Sequence, residues 1–475
     1  MLQISLSAQN GIPLVDQIVT AVRGQIDDRV LRPGARLAAI RQFAEAHGIS
    51  RFTVVEAYDR LVAQGYLQSR RGSGFYVANR SLPEVAPTAA PASMERGAVD
   101  AAWLMRQALD AGAEGLRASA GWLPRSWLDE EGVRRQLRAM LRNPDTNLSD
   151  YGRPQGYLPL RQHLPFKLGE LGIAAQPGQI VLTHGATQGL DMAIHHFVRR
   201  GDTVLVDDPG YFSLFGCLRL HGARLIGVPW TPEGPDAAML EKLAAEHKPK
   251  VYFTQSVLHN PTGACLSPAN AYRILQCAER HDFHIVEDDT YCDFHPGVTT
   301  RLAALDHLHR VVYISSFSKT LSGNLRVGFV AARPDIAEAL TDIKVLTSLA
   351  TPEAAEDMVH RMLTEGHYRK YVERLRTRLG EGCARALRML DRVGLTPFIA
   401  PQGGIFIWAR IPGVDDAVDL AAAAAREGII LAPGTLFRPQ SQASPWLRLN
   451  VAYAADVRLE RFLKKTLAAV STTEG

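Results

Sequence analysis

Apolar positions in this chain fall into distinct regimes. Leu14, Ile18, Val22 and Ile26 recur every fourth residue, a single helical stripe opening at Pro13. Leu31-Arg32-Pro33-Gly34 reads as a turn, and Ile40 to His47 as a short helix that Gly48 ends. Ser50 is placed to cap a third helix running through Gln64, with Val54, Ala57, Tyr58 and Leu61 inward and Arg51, Thr53 and Arg60 outside. Gly65 stops that helix. Tyr66–Ser69 and Phe75–Val77 read as strands joined by the tip Arg70-Arg71-Gly72-Ser73-Gly74. Residues 80–100 hold prolines and alanines but few large apolar side chains, the composition of a linker. Beyond them, apolar runs recur at Ile180–Thr183, Thr203–Val206, Arg224–Val228, Val251–Thr254, His284–Glu287 and Val311–Ile314, with helical stretches between, the pattern of a mostly parallel doubly wound sheet. From about residue 340 the pattern changes to an Arg-rich helical stretch, His367 to Leu390, the run Gly403 to Trp408 and a strand around Leu447–Val451. The expected order is a small helix-rich domain over 11–79, a linker over 80–100 and an α/β domain over 101–475. The large part of the α/β domain covers about 150–340, and the small part 101–149 and 341–475.

Length changes little in this picture: 475 residues suffice for two or three domains with a large core. No apolar run approaches ~18–20 residues, so no membrane span is expected, and MLQISLSAQNGIP lacks the basic start and apolar stretch of a signal peptide. Five scattered cysteines without a CxxC pair fit reduced thiols in the cytoplasm and argue against a disulfide framework or a zinc site. Charge is more telling. Residues 1–80 carry ten arginines and no lysine against six acids, which equals the formal excess of +4 of the whole chain. An Arg-rich module on a near-neutral body suits binding to a phosphate backbone.

Helix, tight turn, second helix and an Arg-tipped hairpin suit double-stranded DNA. The third helix would enter the major groove with Ser50, Arg51 and Thr53 foremost, and Arg41 would face phosphate or base. Arg70, Arg71, Gly72 and Ser73 would carry the wing to the backbone. A three-helix protein-interaction domain with a basic face is the alternative. The residues Pro13-Leu14-x-x-Gln17-Ile18, Leu31-x-Pro33-Gly34-x-Arg36-Leu37, Arg41-x-x-Ala44-x-x-x-Gly48-Ile49-Ser50-Arg51-x-Thr53-Val54-x-x-Ala57-Tyr58 and Gly72-Ser73-Gly74-x-x-Val77 resemble the GntR-type winged helix over nearly all of 11–78. Ala38-Ala39 stands where that family usually has Pro-Ser, so the second helix is expected to lack its serine cap.

A second constellation points to pyridoxal 5'-phosphate. Lys319 offers an amine for a Schiff base. Asp288, after an apolar strand, offers a carboxylate for the ring nitrogen. Tyr291 and Asn260 suit the phenolic oxygen, and Tyr211 suits stacking on the ring. Gly185-Ala186-Thr187-Gln188 opens a helix after a strand, so Ala186 and Thr187 would present free N–H groups to phosphate. Ser316 and Arg326 add a hydroxyl and a charge.

This set resembles the fold-type I pyridoxal-phosphate enzymes of the aspartate aminotransferase family, over about residues 100–465. The resemblance implies that Lys319 forms the internal aldimine, that Arg326 holds phosphate and that Tyr151 is a phosphate ligand given to the neighbouring subunit. It also implies that Arg448, in Trp446-Leu447-Arg448-Leu449, holds a substrate carboxylate. A GntR-type winged helix joined to such a domain resembles the MocR family of bacterial regulators, which implies a head-to-tail homodimer on promoter DNA sensing an amino acid, an amine or pyridoxal phosphate itself. The best-known MocR members have Tyr directly after Glu-Asp-Asp; here Thr290 intervenes, and the step from Asp288 to Tyr291 is that of true aminotransferases. The expected function is a DNA-binding transcriptional regulator that depends on pyridoxal phosphate. The alternative is an active aminotransferase with an ancillary N-terminal module.

Overall fold

The computed structural model describes residue 6 and residues 11–79, 101–110 and 115–473. The linker expected over 80–100 lies outside these. The chain divides into two compact units between Glu95 and Arg96.

In the first unit, helices Leu14–Asp27, Ile40–His47 and Arg51–Ala63 precede an antiparallel pair of strands, Leu67–Arg70 and Gly74–Val77. Ile18, Val22, Phe43, Val54, Tyr58, Leu61, Leu67 and Val77 close one apolar core. At about 1.5–3 kcal/mol per fully buried large apolar side chain, this core is what holds three short helices in place. Gly48 ends the second helix at φ +65°, a left-handed conformation that glycine adopts without a Cβ penalty. Ser50 caps the third helix by accepting from the Thr53 N–H at 3.1 Å. The second helix does start at Ile40 without a side-chain cap from Ala39, and the Tyr58 hydroxyl donates to the Ala38 carbonyl at 3.1 Å just ahead of it. The hairpin is shifted from its expected place. Arg70 pairs with Gly74 inside the ladder, its guanidinium lying 4.6 Å from the Tyr76 ring centre, so only Arg71, Gly72 and Ser73 form the tip.

The second unit is built on an eight-stranded sheet. Its order is Ile180–Thr183, Gly328–Ala331, Val311–Ser316, His284–Asp288, Val251–Thr254, Thr203–Asp208, Arg224–Thr231 and Gly234–Pro235. The pairings from Arg224–Thr231 across to Val311–Ser316 are parallel. Gly328–Ala331 runs antiparallel to both of its neighbours and was not expected from the sequence. Along each central strand, alternate residues enter two cores on opposite faces. Leu205, Tyr252, Ile285 and Tyr313 face one, and Val206, Phe253, Val286 and Ile314 face the other, the period-two pattern of a sheet covered on both sides.

A four-stranded antiparallel sheet follows, in the order Thr396–Pro397, Phe406–Arg410, Trp446–Asn450, Ala432–Pro433, with the 27-residue helix His367–Val393 leading into it. Leu182 and Phe329 of the large sheet share one apolar cluster with Leu379, Ile407 and Leu449 of this smaller part. Among the described residues no helix is long and apolar enough to cross a membrane.

Candidate cofactor and ligand pocket

Parallel strands leave their carboxyl ends on one edge of the sheet, where ligands of such folds collect. Residues at the ends of four strands meet there: Ala186 and Thr187 after Ile180–Thr183, Asn260 beyond Val251–Thr254, Asp288 ending His284–Asp288 and Ser316 ending Val311–Ser316. With Tyr211, Tyr291, Lys319, Arg326 and Arg448 they line a single cavity. Tyr151 does not reach it; its side chain is 81 % exposed.

One end of the cavity suits a phosphate. The helix Gly185–Phe197 opens there, with first-turn N–H groups and the positive end of its dipole toward the cavity. Arg326 donates through Nη1 to Ser318 Oγ at 3.1 Å and through Nη2 to the His184 carbonyl at 2.9 Å. Gly185 has φ +72°, and a Cβ there would stand 2.8 Å from the Arg326 guanidinium. Only glycine lets the helix start this close to the arginine. Ser316 serves partly as a local brace. Its hydroxyl accepts from the Ser318 N–H at 3.1 Å and donates to the Val327 carbonyl at 3.2 Å.

The middle of the cavity suits a pyridine ring. Asp288 Oδ1 accepts from the Thr290 N–H at 3.1 Å and its hydroxyl at 2.5 Å, and Oδ2 accepts from Gln255 Nε2 at 2.7 Å. Burial raises the Asp288 pKa, and the bonds from Thr290 and Gln255 oppose that rise. Gln255 also accepts from the Asn260 N–H at 2.9 Å, so one amide ties the carboxylate to the Asn260 turn. Burial pushes the Tyr211 and Tyr291 hydroxyls up, holding both protonated. Lys319 has no side-chain hydrogen bond among the described residues; burial, with Arg448 and Arg326 adding repulsion, pushes its amine down to about 8. These groups fit pyridoxal phosphate: an N-terminal helix cradle with a cation, an acid for the ring nitrogen, and a depressed lysine between them.

Arg448 closes the other end. It is 3 % exposed, donating to Asn260 Oδ1 at 2.9 Å and to the Ser119 carbonyl at 2.6 Å. Its Nε is buried with no hydrogen-bond partner. The Phe406, Phe437 and Phe212 rings stand 4.3, 4.9 and 5.5 Å from its guanidinium carbon. Burial pushes its pKa down to about 10. No acid forms an ion pair with it among the described residues, so it is not the locally paired arginine that a structural role would call for.

Sequence reading missed Met105, Gly121, Trp122, Leu190, Phe212, Gln255, Thr290 and Ser318, which also line the cavity. Gln255 carried the same signal as Asp288, a polar residue just past a buried strand. Met105 and Trp122 carried none. Away from the cavity, Glu241, Cys277 and His281 approach within 4.8 Å of one another, and Glu241 is already paired with Arg280 and His281, each at 2.7 Å.

In the winged helix, the expected DNA contacts lie on the surface. Arg41 pairs with Glu45 at 2.8 Å, and Arg51 stands 3.9 Å from the same carboxylate. The hydroxyls of Ser50 and Thr53 are 3.0 Å apart, and Ser73 Oγ lies 2.6 Å from the Tyr76 hydroxyl. Arg71 and Gly72 are exposed. Phe52, 76 % exposed beside Arg51, was not singled out from the sequence, although it lies off the inward stripe.

Comparison with known proteins agrees with both halves. The profile of the aminotransferase class I and II family matches residues 128–465. The chain belongs to that family. Ahead of the family domain, the profile of the bacterial regulatory proteins of the gntR family matches residues 14–77. An uncharacterized HTH-type transcriptional regulator of Bacillus subtilis, YdfD, is 26 % identical, covering 94 % of this chain and 93 % of its own. The probable rhizopine catabolism regulatory protein MocR of Rhizobium meliloti is 28 % identical over 77 % of this chain and 74 % of its own. Among solved structures, an alpha-aminoadipate aminotransferase of Thermus thermophilus, complexed with N-(5'-phosphopyridoxyl)-L-leucine, superposes with a TM-score of 0.71 at 28 % identity, over 78 % of this chain and 95 % of that one. This family member therefore has the architecture of a MocR-type regulator, with pyridoxal phosphate as its cofactor.

Proposed function

We propose that this chain is a transcriptional regulator in which an amino acid, bound beside pyridoxal phosphate, alters binding to promoter DNA. The observation that carries the ligand reading is Arg448: a buried guanidinium at the cavity wall with no acid partner and an unbonded Nε. A buried cation without a counterion is costly, and a ligand carboxylate supplies the counterion through two parallel charge-assisted bonds.

The remaining residues have separable tasks in this reading. Ala186 and Thr187, with Arg326, bind the phosphate. Asp288 holds a negative charge against the ring nitrogen, kept in place by Thr290 and Gln255. Tyr211 covers the ring, and Asn260 and Tyr291 meet its phenolic oxygen. Lys319, neutral above about pH 8, provides the nitrogen for attachment. When bound, pyridoxal phosphate supplies an aldehyde for which a ligand amine competes with that lysine. Tyr151, exposed on its own subunit, would serve the pocket of a second copy in this reading, with a homodimer as the working unit. Arg51 and its neighbours on the third helix read the DNA, and Arg71 meets its backbone.

The test is a titration of the holoprotein with amino acids and with amines lacking a carboxylate. Absorbance of the lysine-bound cofactor and affinity for the protein's own promoter are followed together. Amino acids are expected to change both. A response to amines alone removes the reading. A transaminase reading is favoured by the depressed, unbonded Lys319; sustained release of 2-oxo acid from an amino donor in the presence of a second 2-oxo acid as amino acceptor, with promoter affinity unmoved, would establish it instead.

A further inference from the structure

We infer that the ligand is an α-amino acid with a large uncharged side chain, an inference that rests on the amino-acid reading above. The cavity is divided in its chemistry. Its charged side chains are Asp288, Lys319, Arg326 and Arg448, and each already has a task toward ring, amine, phosphate or carboxylate. Among the described residues, one subunit leaves none for a second carboxylate. Asp288, the one acid, accepts three hydrogen bonds and is committed to the ring, so none remains for a second ammonium group.

What remains of the lining, once the ring, amine, phosphate and carboxylate groups and their braces are set aside, is apolar. Met105, Trp122 and Phe212 line the cavity, Phe212 with its ring 5.5 Å from the Arg448 guanidinium carbon, and they pack into a cluster with Leu104, Ala108, Trp408 and Phe437. Gly121, next to Trp122, has no side chain to fill the space; even a Cβ there would stand 3.8 Å from Lys319 Nζ. A ligand held at Arg448 by its carboxylate and at Lys319 by its amine turns its side chain to this wall. A charged side chain would be stripped of water against it with no counterion, which is costly. An apolar one is favoured by burial, and pockets of this kind discriminate by about 10–200-fold per group added or lost. Arg106, the cation next to Met105, is exposed on the helix Ala101–Asp110 and does not line the cavity.

The experiment is a titration of the full-length holoprotein with L-leucine, L-methionine, L-phenylalanine, L-alanine, L-glutamate and L-lysine, reading half-saturation of the cofactor absorbance change. Leucine, methionine or phenylalanine should half-saturate at least about 10-fold below alanine, glutamate and lysine. Glutamate or lysine matching leucine overturns the inference while leaving the amino-acid reading intact. Silence toward all six overturns both. Trp122→Ala should remove the advantage of leucine over alanine, and its persistence would count against the apolar wall. Met105→Arg, which adds a cation at the helix edge, should bring glutamate up by about 10-fold or more relative to leucine. An unchanged ratio there also overturns the assignment, whether or not Trp122→Ala folds.

Discussion

At the recognition end of the first unit, Arg41 and Arg51 stand in solvent near the carboxylate of Glu45, at 2.8 and 3.9 Å. In the second unit Arg448 is 3 % exposed, with three aromatic rings and two amide oxygens around it and no acid. An exposed pair is worth under about 1 kcal/mol and is screened by salt, so the first two arginines exchange Glu45 for phosphate or base at small cost. Their binding is expected to be fast and salt-dependent. The buried arginine has no acid to release, and on the proposed reading a ligand carboxylate supplies the missing counterion. On the proposed reading one region would gain affinity by summing many exposed contacts, and the other selectivity from a single buried cation without an acid.

The contrast is tested most severely at Lys319. Lys319→Ala should abolish covalent attachment, seen as loss of the added mass after borohydride reduction, while non-specific DNA affinity stays put. Because its amine is pushed down to about 8, cofactor uptake by the wild-type apoprotein should accelerate with pH and level off above about 8. An ordinary exposed lysine would keep accelerating toward 10.4. Next comes Arg448→Ala. Two charge-assisted bonds of about 1.5–3 kcal/mol each imply an amino-acid response weakened by at least about 100-fold, with the cofactor band retained. Arg448→Lys should not restore it, since a point charge does not reproduce the fork. A response kept within a few-fold in both variants would make Arg448 a structural residue.

Smaller effects are expected on the exposed side. Arg51→Ala should cost about 1–3 kcal/mol on the cognate promoter only. Arg71→Ala should weaken binding to all sequences alike and lower the salt slope by about one, as read by gel shift over a salt series, and Arg70→Ala, whose guanidinium packs on Tyr76 inside the ladder, should lower it less. Equal losses on cognate and random DNA for Arg51→Ala would move that residue to the backbone class. The smallest effect belongs to Glu45→Ala. By freeing Arg41 and Arg51 it should tighten DNA binding by no more than about 1 kcal/mol, and weakening would mean that Glu45 orients the arginines rather than competing for them.

How far the sequence was readable follows the same division. The winged helix is local: the stripe of Ile18 and Val22, the Gly48 stop and the Ser50 cap are each set by residues a few positions apart, and they mark helices close to those observed. Arg70 was misplaced because its contact with Tyr76 across the hairpin depends on pairing register, which alternation over four residues leaves open. In the sheet, buried strands announce themselves as apolar runs. Gly328–Ala331 did not, because Gly328 and Ala331 at its ends leave only Phe329 and Val330 as large apolar residues. Asn260, Asp288, Tyr291, Ser316 and Lys319 were legible because they follow strands, whereas Arg448, inside the strand Trp446–Asn450, was legible only through the residues around it. Met105, Trp122 and Phe212 come from helix and loop positions where packing alone decides what faces inward, and no local spacing records that.

Met105 belongs to the helix Ala101–Asp110, which comes directly after residues 80–100 in the chain. Those 21 residues are the only covalent route to the winged helix, and peptide geometry caps their span at roughly 70 Å. On the reading of residues 80–100 as a linker, the helix is at once a wall of the proposed ligand's room and the root of a tether. The root of a tether sets where its reach begins, and reach sets the local concentration at which a DNA-reading head meets its half-site. A side chain packed on Met105 therefore sits one short helix from the point at which that concentration is determined.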